Sequence, residues 1–316
     1  MSDLKLFHMS GDRPQELIAS SFAVERTLQT LIERNLDALF GVRFLASEHS
    51  TGPVHGGRID TLGLDENNAP VIIEYKRATN ENVINQGLFY LDWLVDHHGD
   101  FWQLVVNQLG QEAANAIDWR YPRLLCIAGD FTRYDEHAVQ QIRRNIQLIR
   151  YRRYGDDLLL FELVNTPASQ PVEEASGTAS SGVPSNGRTR PASSAHSTPT
   201  SASDLLAAAG PELRDLYEAL KAYLLALGDD VQFNPLRYYL AFRRIKNFAC
   251  VEVHPQARHI LVYVKVNPDS FTLEPGFTRD VRKIGHFGTG ELEITIRNAA
   301  DFERAQPLLL QSYEAS

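Results

Sequence analysis

Asp60, Glu74 and Lys76 stand on two stretches, Arg58-Ile59-Asp60-Thr61-Leu62-Gly63-Leu64 and Val71-Ile72-Ile73-Glu74-Tyr75-Lys76, that otherwise read as core strands. Ionisable groups on such strands are costly to bury unless they are paired, hydrated or holding a cation. Two carboxylates brought together repel each other, and a hard divalent ion such as Mg2+, which takes oxygen ligands and keeps several waters, relieves that repulsion. The chemistry open to such a set is metal-assisted hydrolysis of a phosphodiester. The ion would polarise the ester and lower the pKa of a bound water, while Lys76 would orient that water or neutralise phosphate charge. The competing reading is a cross-strand ion pair at a sheet edge.

The elements that must position these groups are legible around them. Side chains on a strand have period two, so Ile72, Glu74 and Lys76 share one face and Val71, Ile73 and Tyr75 the other. The polar run Asp65-Glu66-Asn67-Asn68-Ala69-Pro70 reads as a hairpin loop, and pairing across it brings Asp60 beside Glu74. If Phe22 to Phe40 forms one helix, Phe22, Leu28, Ile32, Leu36, Leu39 and Phe40 make one stripe with Glu25 near its centre; Arg26, Thr30, Glu33, Arg34 and Asp37 fall opposite. A glutamate centred on an apolar stripe needs a partner, and a metal between helix and hairpin would supply one. Alternatively the helix starts later and Glu25 sits near its N-terminus, where the dipole favours a carboxylate. Asn80 to His97 reads as a further helix on which Gln86 and Tyr90 share a face. Both can reach phosphate or water near the carboxylates, and Tyr90 can equally be core.

This order of elements resembles the PD-(D/E)xK nuclease superfamily. Within it, Gly56-Gly57-Arg58-Ile59-Asp60 and Val71-Ile72-Ile73-Glu74-Tyr75-Lys76-Arg77 are most similar to the catalytic domain of the EndoMS-type mismatch endonucleases. The resemblance implies a restriction-endonuclease-like α/β core, with a central mixed sheet flanked by helices, that uses Mg2+ or Mn2+ to cleave DNA. It makes Asp60 and Glu74 metal ligands and Lys76 the catalytic lysine. Glu25 matches the helix glutamate as a third ligand, and Gln86 a catalytic glutamine. Arg58, Arg77 and Tyr90 join them as nucleic-acid contacts. Ile59 stands where the motif's proline would be. The mismatch enzymes carry an N-terminal DNA-binding and dimerising domain for which this chain has no room, so mismatch recognition is not carried over, and a homodimer is left open.

After this core, Arg123 to Ala128 reads as a strand, Tyr134 to Asn145 as a helix, and Gln147 to Arg152 and Leu158 to Leu163 as strands. Residues 166–203 turn to Pro, Ser, Ala, Thr and Gly, a composition expected to be a disordered linker between a nuclease-like domain, 1–165, and a second domain, 204–316. That second domain reads as a small α+β unit. It has helices at Pro211 to Leu227 and Ala299 to Tyr313, a hairpin of Phe248 to His254 with His259 to Val266, and a strand at Glu291 to Arg297. It resembles an uncharacterised bacterial domain sometimes labelled a predicted transport protein, through Tyr238-Tyr239-Leu240-Ala241-Phe242-Arg243, the Gly285 to Ile294 segment and Gln311-Ser312-Tyr313. Gly285, Gly288 and Gly290 around His286 make either a plain turn or a loop approaching phosphate. Arg243, Arg244, Lys246, Arg282 and Lys283 would let the unit serve as a substrate-recognition arm.

Charge excludes a simple nucleic-acid clamp. The chain's net charge is -9, and residues 1–165 hold 16 Lys and Arg against 23 Asp and Glu, so contact with DNA must come from patches. Arg143, Arg144, Arg150, Arg152 and Arg153 are the candidate, either neutralising backbone phosphates or simply charging a sheet edge. No apolar run is long enough for a membrane span, no signal-peptide pattern opens the chain, and Cys126 and Cys250 read as reduced core residues, so the expected location is cytoplasmic. His97-His98 lacks a matching ligand spacing for a metal. The rival to an enzyme is a nucleic-acid-binding or interaction module that keeps the fold without turnover.

Overall fold

The computed structural model describes residues 4–22, 24–76, 83–165 and 201–316. In chain order the first part comprises β1 (Leu6–Ser10), β2 (Arg13–Leu17), β3 (Ala19–Ser20), α1 (Glu25–Arg34), α2 (Leu36–Phe40), β4 (Val42–Ser50), α3 (Gly52–His55), β5 (Arg58–Asp65) and β6 (Pro70–Lys76). It continues with α4 (Val83–Asp96), α5 (His98–Leu109), α6 (Gln111–Asn115), β7 (Arg123–Ala128), α7 (Arg133–Gln140), β8 (Asn145–Tyr154) and β9 (Leu158–Leu163). The sheet runs β3-β8-β7-β6-β5-β4, and β9 also pairs with β8. Hairpin-joined β4, β5 and β6 are antiparallel; β6, β7 and β8 are parallel because helical crossovers join them. The result is an α/β fold with a central mixed sheet flanked by helices.

Period-two alternation decides which helix covers which face. Val71, Ile73 and Tyr75 of β6 pack with Leu28, Ile32, Leu36 and Phe40 of α1 and α2. Ile72 packs on the other side with Leu91, Leu94, Phe101 and Val105 of α4 and α5. The expected single helix from Phe22 to Phe40 is in fact two. Asn35 leaves helical geometry at φ -125° and its side-chain amide donates to the Leu31 carbonyl at 2.8 Å, a local bond that competes with the helix ladder. α7 likewise stops at Gln140, five residues short of expectation, because Asn145 already pairs with Arg123 in the sheet.

The second part comprises α8 (Ala202–Ala207), α9 (Pro211–Ala226), β10 (Gln232–Pro235), β11 (Leu240–Arg243), β12 (Asn247–His254), β13 (His259–Val264), β14 (Thr278–Asp280), β15 (Leu292–Ile296) and α10 (Ala299–Glu314). Its sheet, β10-β11-β12-β13-β15-β14, is antiparallel throughout. Leu213, Tyr217, Leu220 and Leu224 of α9, with Ala305 and Leu309 of α10, pack on Val251, Val253, Ile260 and Ile294. Most of the segment expected as a linker, 166–200, lies outside the described residues; Ser201 and Ser203 already belong to the cap and first turn of α8. The Gly-rich loop is a packing turn. A Cβ on Gly288 (φ +80°) would meet Cys250 Cβ at 2.6 Å, and one on Gly290 (φ +153°) would meet the Val264 nitrogen at 2.6 Å.

The two sheets are joined by a buried polar seam. Asp65, at the end of β5, receives Arg123 at 3.1 Å and Arg243 at 2.9 Å, all three almost fully buried. Asn67 bonds Asn247 and the Tyr239 hydroxyl, and Glu66 accepts from the Asn247 backbone N–H at 2.8 Å and pairs with Lys265. The run from Asp65 to Pro70 is the expected hairpin loop between β5 and β6, and it is held between the two sheets. Among the described residues no helix is long and apolar enough to cross a membrane.

Candidate active site

Antiparallel pairing sets Thr61 against Ile73 and Leu62 against Ile72, which brings Asp60 opposite Glu74. The Asp60 backbone N–H donates to Glu74 Oε1 at 3.2 Å, and the Tyr75 N–H donates to Asp60 Oδ2 at 3.0 Å. Glu74 is fully buried, and among the described residues its Oε2 has no hydrogen-bond donor. Burial pushes Glu74 up to about 9, reinforced by the neighbouring Asp60 charge and opposed by the Asp60 N–H and Lys76. Burial also raises Asp60 to about 6, against the Tyr75 N–H and Lys76, while Glu25 and Glu48 push it further up. Protonated Glu74 shares a side-chain hydrogen bond with Asp60, and two adjacent carboxyls of this kind need a proton or a hard cation between them.

Lys76 is on the same strand face, with Nζ 3.6 Å from Glu25 Oε1. Glu25 is the first residue of α1, not the centre of a longer stripe, and α1 covers the opposite face of the sheet from Asp60 and Glu74. Among the described residues no group of three or more His, Cys, Asp or Glu side chains is placed to hold a metal. Glu25 is thus a partner of Lys76 and not a third ligand of the pair. Glu33, which the helical projection put opposite the apolar stripe, turns toward the sheet instead. It accepts from Thr61 Oγ1 at 2.6 Å and Gln29 at 3.1 Å, and Gln29 also donates to the Asp60 carbonyl at 2.9 Å.

A cleft of about 840 Å³ opens over Asp60, lined also by Gln86, Tyr90, Arg58 and the 50–57 loop. Tyr90 is buried, and its hydroxyl accepts from the Arg58 backbone N–H at 3.1 Å and from Gln86 at 3.3 Å. Its ring lies so close to Gly57 that a Cβ there would meet it at 2.6 Å. Tyr90 therefore fixes the strand entry as well as lining the cleft. The exposed Arg58 guanidinium pairs with Glu48 at 2.6 Å. Glu48, which sequence reasoning missed, holds a left-handed backbone (φ 53°) on β4 beside Asp60. Nothing in residue type announces that conformation, which is uncommon for a non-glycine residue and concentrates at functional sites. Arg77 lies outside the described residues.

The expected arginine patch does not survive as a unit. Arg150 is buried and paired with Asp130 at 2.6 Å and Glu162 at 2.9 Å, with Glu136 at 4.0 Å, so its charge is already matched. Arg144 is half-buried and Arg153 pairs with Asp156; Arg143 is exposed and Arg152 partly so. His97 and His98 diverge, the first bonding the Trp93 carbonyl at 2.8 Å and the second stacking on Trp119.

Residues 202–316 match a domain of unknown function, DUF5655. An uncharacterised protein of Haemophilus influenzae is 28% identical over 313 residues, covering 98% of this chain and 99% of that protein. Among solved structures, a repair endonuclease from Pyrococcus abyssi aligns with 42% of this chain and 49% of its own, at 17% identity and a TM-score of 0.27. An EndoMS complex with double-stranded DNA aligns with 42% of this chain and 47% of its own, at 18% identity and a TM-score of 0.24. Pyrococcus furiosus SfsA in complex with Ca2+ aligns with 51% and 76%, at 12% identity and a TM-score of 0.26. The chain spans about half the length of the two endonuclease structures.

Proposed function

We propose that this chain is a divalent-metal-dependent nuclease that hydrolyses DNA phosphodiester bonds, with Mg2+ or Mn2+ held by Asp60 and Glu74. One observation carries the reading: two carboxyls meet on adjacent core strands, and the deeper one, Glu74, is fully buried against Asp60 with its Oε2 otherwise unpartnered among the described residues. A buried carboxyl pair is destabilising unless protonated or neutralised, which is the cost a cation site bears when empty. When bound, the ion supplies Lewis-acid polarisation of the phosphoryl group and acidifies a water.

The remaining groups are assigned work that their positions allow. Lys76, its side chain 15% exposed and held by Glu25, offers ammonium donors to a phosphate oxygen or the attacking water. Gln86 presents an amide to the cleft and orients water or phosphate. Among the described residues, Arg143 and Arg152 are the expected cations left to contact the DNA backbone, with Arg58 exposed but paired to Glu48, so binding should be modest. The free buried thiols Cys126 and Cys250 suit a reducing compartment, and we place the protein in the cytoplasm.

Nicking and cleavage assays on single-stranded, branched and duplex DNA with Mg2+ or Mn2+, beside Asp60→Ala and Glu74→Ala, test the reading. Metal-dependent cleavage lost in both variants is expected. Cleavage surviving both substitutions would remove the assigned site, and no cleavage by the wild type on any substrate would favour a binding module.

A further inference from the structure

Glu48 is held against both strain and repulsion. The β4–β5 register sets Ser47 against Thr61 and His49 against Ile59, so Glu48 comes opposite Asp60. Like charges at facing positions of paired strands are destabilising, and the Glu48 charge is one of those that push Asp60 up. The residue also keeps φ at +53° inside a strand, a left-handed geometry strained for any residue that carries a Cβ. Asn68 and Arg258, the other non-glycine residues of positive φ among those described, lie in hairpin loops. A carboxylate kept under both penalties is kept for its partner, and that partner is Arg58, whose Nε lies 2.6 Å from Glu48 Oε2.

The arginine is fixed at both ends. Its main chain enters β5 through Gly57, whose N–H donates to Thr51 Oγ1 at 2.9 Å and whose carbonyl accepts from the Thr51 N–H at 3.0 Å. The Arg58 N–H itself donates to the Tyr90 hydroxyl at 3.1 Å, and Arg58 pairs with Ser50 across the strands. Only the side chain is left to solvent, 67% exposed, and there Glu48 restrains it. A guanidinium carries its donors in one rigid plane. Glu48 meets that plane at Nε, which leaves the edge formed by the two terminal nitrogens for a phosphate, in the two-pronged geometry arginine makes with such groups. Arg58 lines the same cleft as Asp60 and Gln86.

We propose that Glu48 is a positioning residue: it holds the Arg58 guanidinium at the cleft so that it meets the phosphate being cleaved, and it acts on the reaction only through that arginine. The inference rests on the nuclease reading and deepens it by naming what orients the phosphate. A positioning role and mere competition for Arg58 predict different results. Removing the Glu48 charge makes the cleft less negative, so DNA binding should not weaken. What is lost is the geometry of the arginine, and with it the rate once substrate is bound. A carboxylate that only competed with phosphate for Arg58 would, on removal, tighten binding and leave that rate intact.

The test joins a direct readout of the arginine to kinetics, on the full-length protein. With isotope-labelled arginine, the Arg58 Nε–H signal in NMR relaxation, assigned by its loss in Arg58→Lys, should report a restrained side chain in the wild type and a mobile one in Glu48→Ala and Glu48→Gly. Alanine keeps the backbone strain and glycine relieves it, so agreement between the two isolates the carboxylate from the fold. With Ca2+ in place of Mg2+, both variants should bind fluorescein-labelled duplex and single-stranded DNA at least as tightly as the wild type. In single-turnover cleavage with Mg2+ at saturating protein, both should be slower by roughly tenfold or more. Arg58→Met should be slowed as well, and adding Glu48→Ala to it should slow it no further. An Arg58 signal as mobile in the wild type as in the variants, a Glu48 variant cleaving at the wild-type rate, or further slowing in the double variant overturns the assignment. A wild type that restrains Arg58 and yet cuts no DNA with Mg2+ or Mn2+ overturns the nuclease reading instead, and the pair's part in cleavage with it.

Discussion

Replacing Glu74 by Gln should abolish cleavage and yet stabilise the metal-free protein. Glutamine has the shape of a protonated glutamate, so the hydrogen bond from the Asp60 N–H to Oε1 is retained while the charge is removed. The ordinary value for this carboxyl is 4.5, and in the fold it is raised to about 9, chiefly by burial and then by Asp60. Below the lower value both folded and unfolded chains hold the proton and the group has no effect on stability. Between the two values the unfolded chain releases the proton and the folded chain keeps it, so stability falls as pH rises and levels off only above the folded value. At about pH 7.5 the gap is roughly three pH units, or up to about 4 kcal/mol lost from the wild type and spared in Glu74→Gln. Urea unfolding in EDTA across a pH series reads this directly. The wild-type and variant curves should meet near pH 4 and diverge upward in favour of the variant. Adding Mg2+ should recover stability in the wild type alone, with about one proton released per ion bound near neutral pH, measurable by calorimetry in buffers of different ionisation enthalpy. Parallel pH curves, or a variant less stable than the wild type at pH 8, would refute the assignment of Glu74 as a buried carboxyl kept for a cation.

Three further outcomes follow from named contacts. Lys76→Met should keep the metal-dependent stabilisation and lose roughly 10²-fold or more in single-turnover cleavage, since it removes a donor aimed at developing charge; unchanged turnover would reduce Lys76 to the ion-pair partner of Glu25. Burial alone would raise the pKa of Asp65, but Arg243 and Arg123 hold it below its ordinary value, so its contribution is present above pH 3.8 and is lost as pH falls through the folded value. Asp65→Ala strands two buried guanidiniums and should cost about 3–5 kcal/mol in urea unfolding at neutral pH, together with weaker Mg2+ stabilisation because the clamped loop joins the two carboxylate strands. Leu6, Phe7 and Met9 on the β1–β2 hairpin are exposed, and an isolated hairpin is marginal in water. If it mediates a homodimer, Phe7→Glu with Met9→Glu should shift the protein to monomer in light scattering; an unchanged mass assigns the hairpin another role.

What the sequence disclosed and what it withheld divide along one physical line. The pairing of Asp60 with Glu74 was readable because a hairpin is local: a polar run between two alternating strands fixes the register. The strands Arg123–Ala128 and Leu158–Leu163 were readable for the same reason, as runs bounded by turn residues. Glu25 and Glu33 were misjudged because a helical projection orders residues around an axis but cannot say where Asn35 ends that axis or which sheet face the helix covers. Arg150 was taken for a phosphate contact because its neighbours in sequence are cations, whereas its neighbours in space are Asp130, Glu136 and Glu162. Asp65 looked like a loop residue because its second arginine, Arg243, lies 178 positions away. Local pattern thus locates a charge and the face it shares, and the identity of the group opposite is decided by topology. The Asp60–Glu74 pair is the informative exception, since local pattern placed its two members side by side as the structure has them, and Glu74 Oε2 has no donor among the described residues once the topology is known. At neutral pH the pair is held as a proton on Glu74 beside an ionised Asp60, and the Glu74→Gln measurements decide whether a cation takes that proton's place.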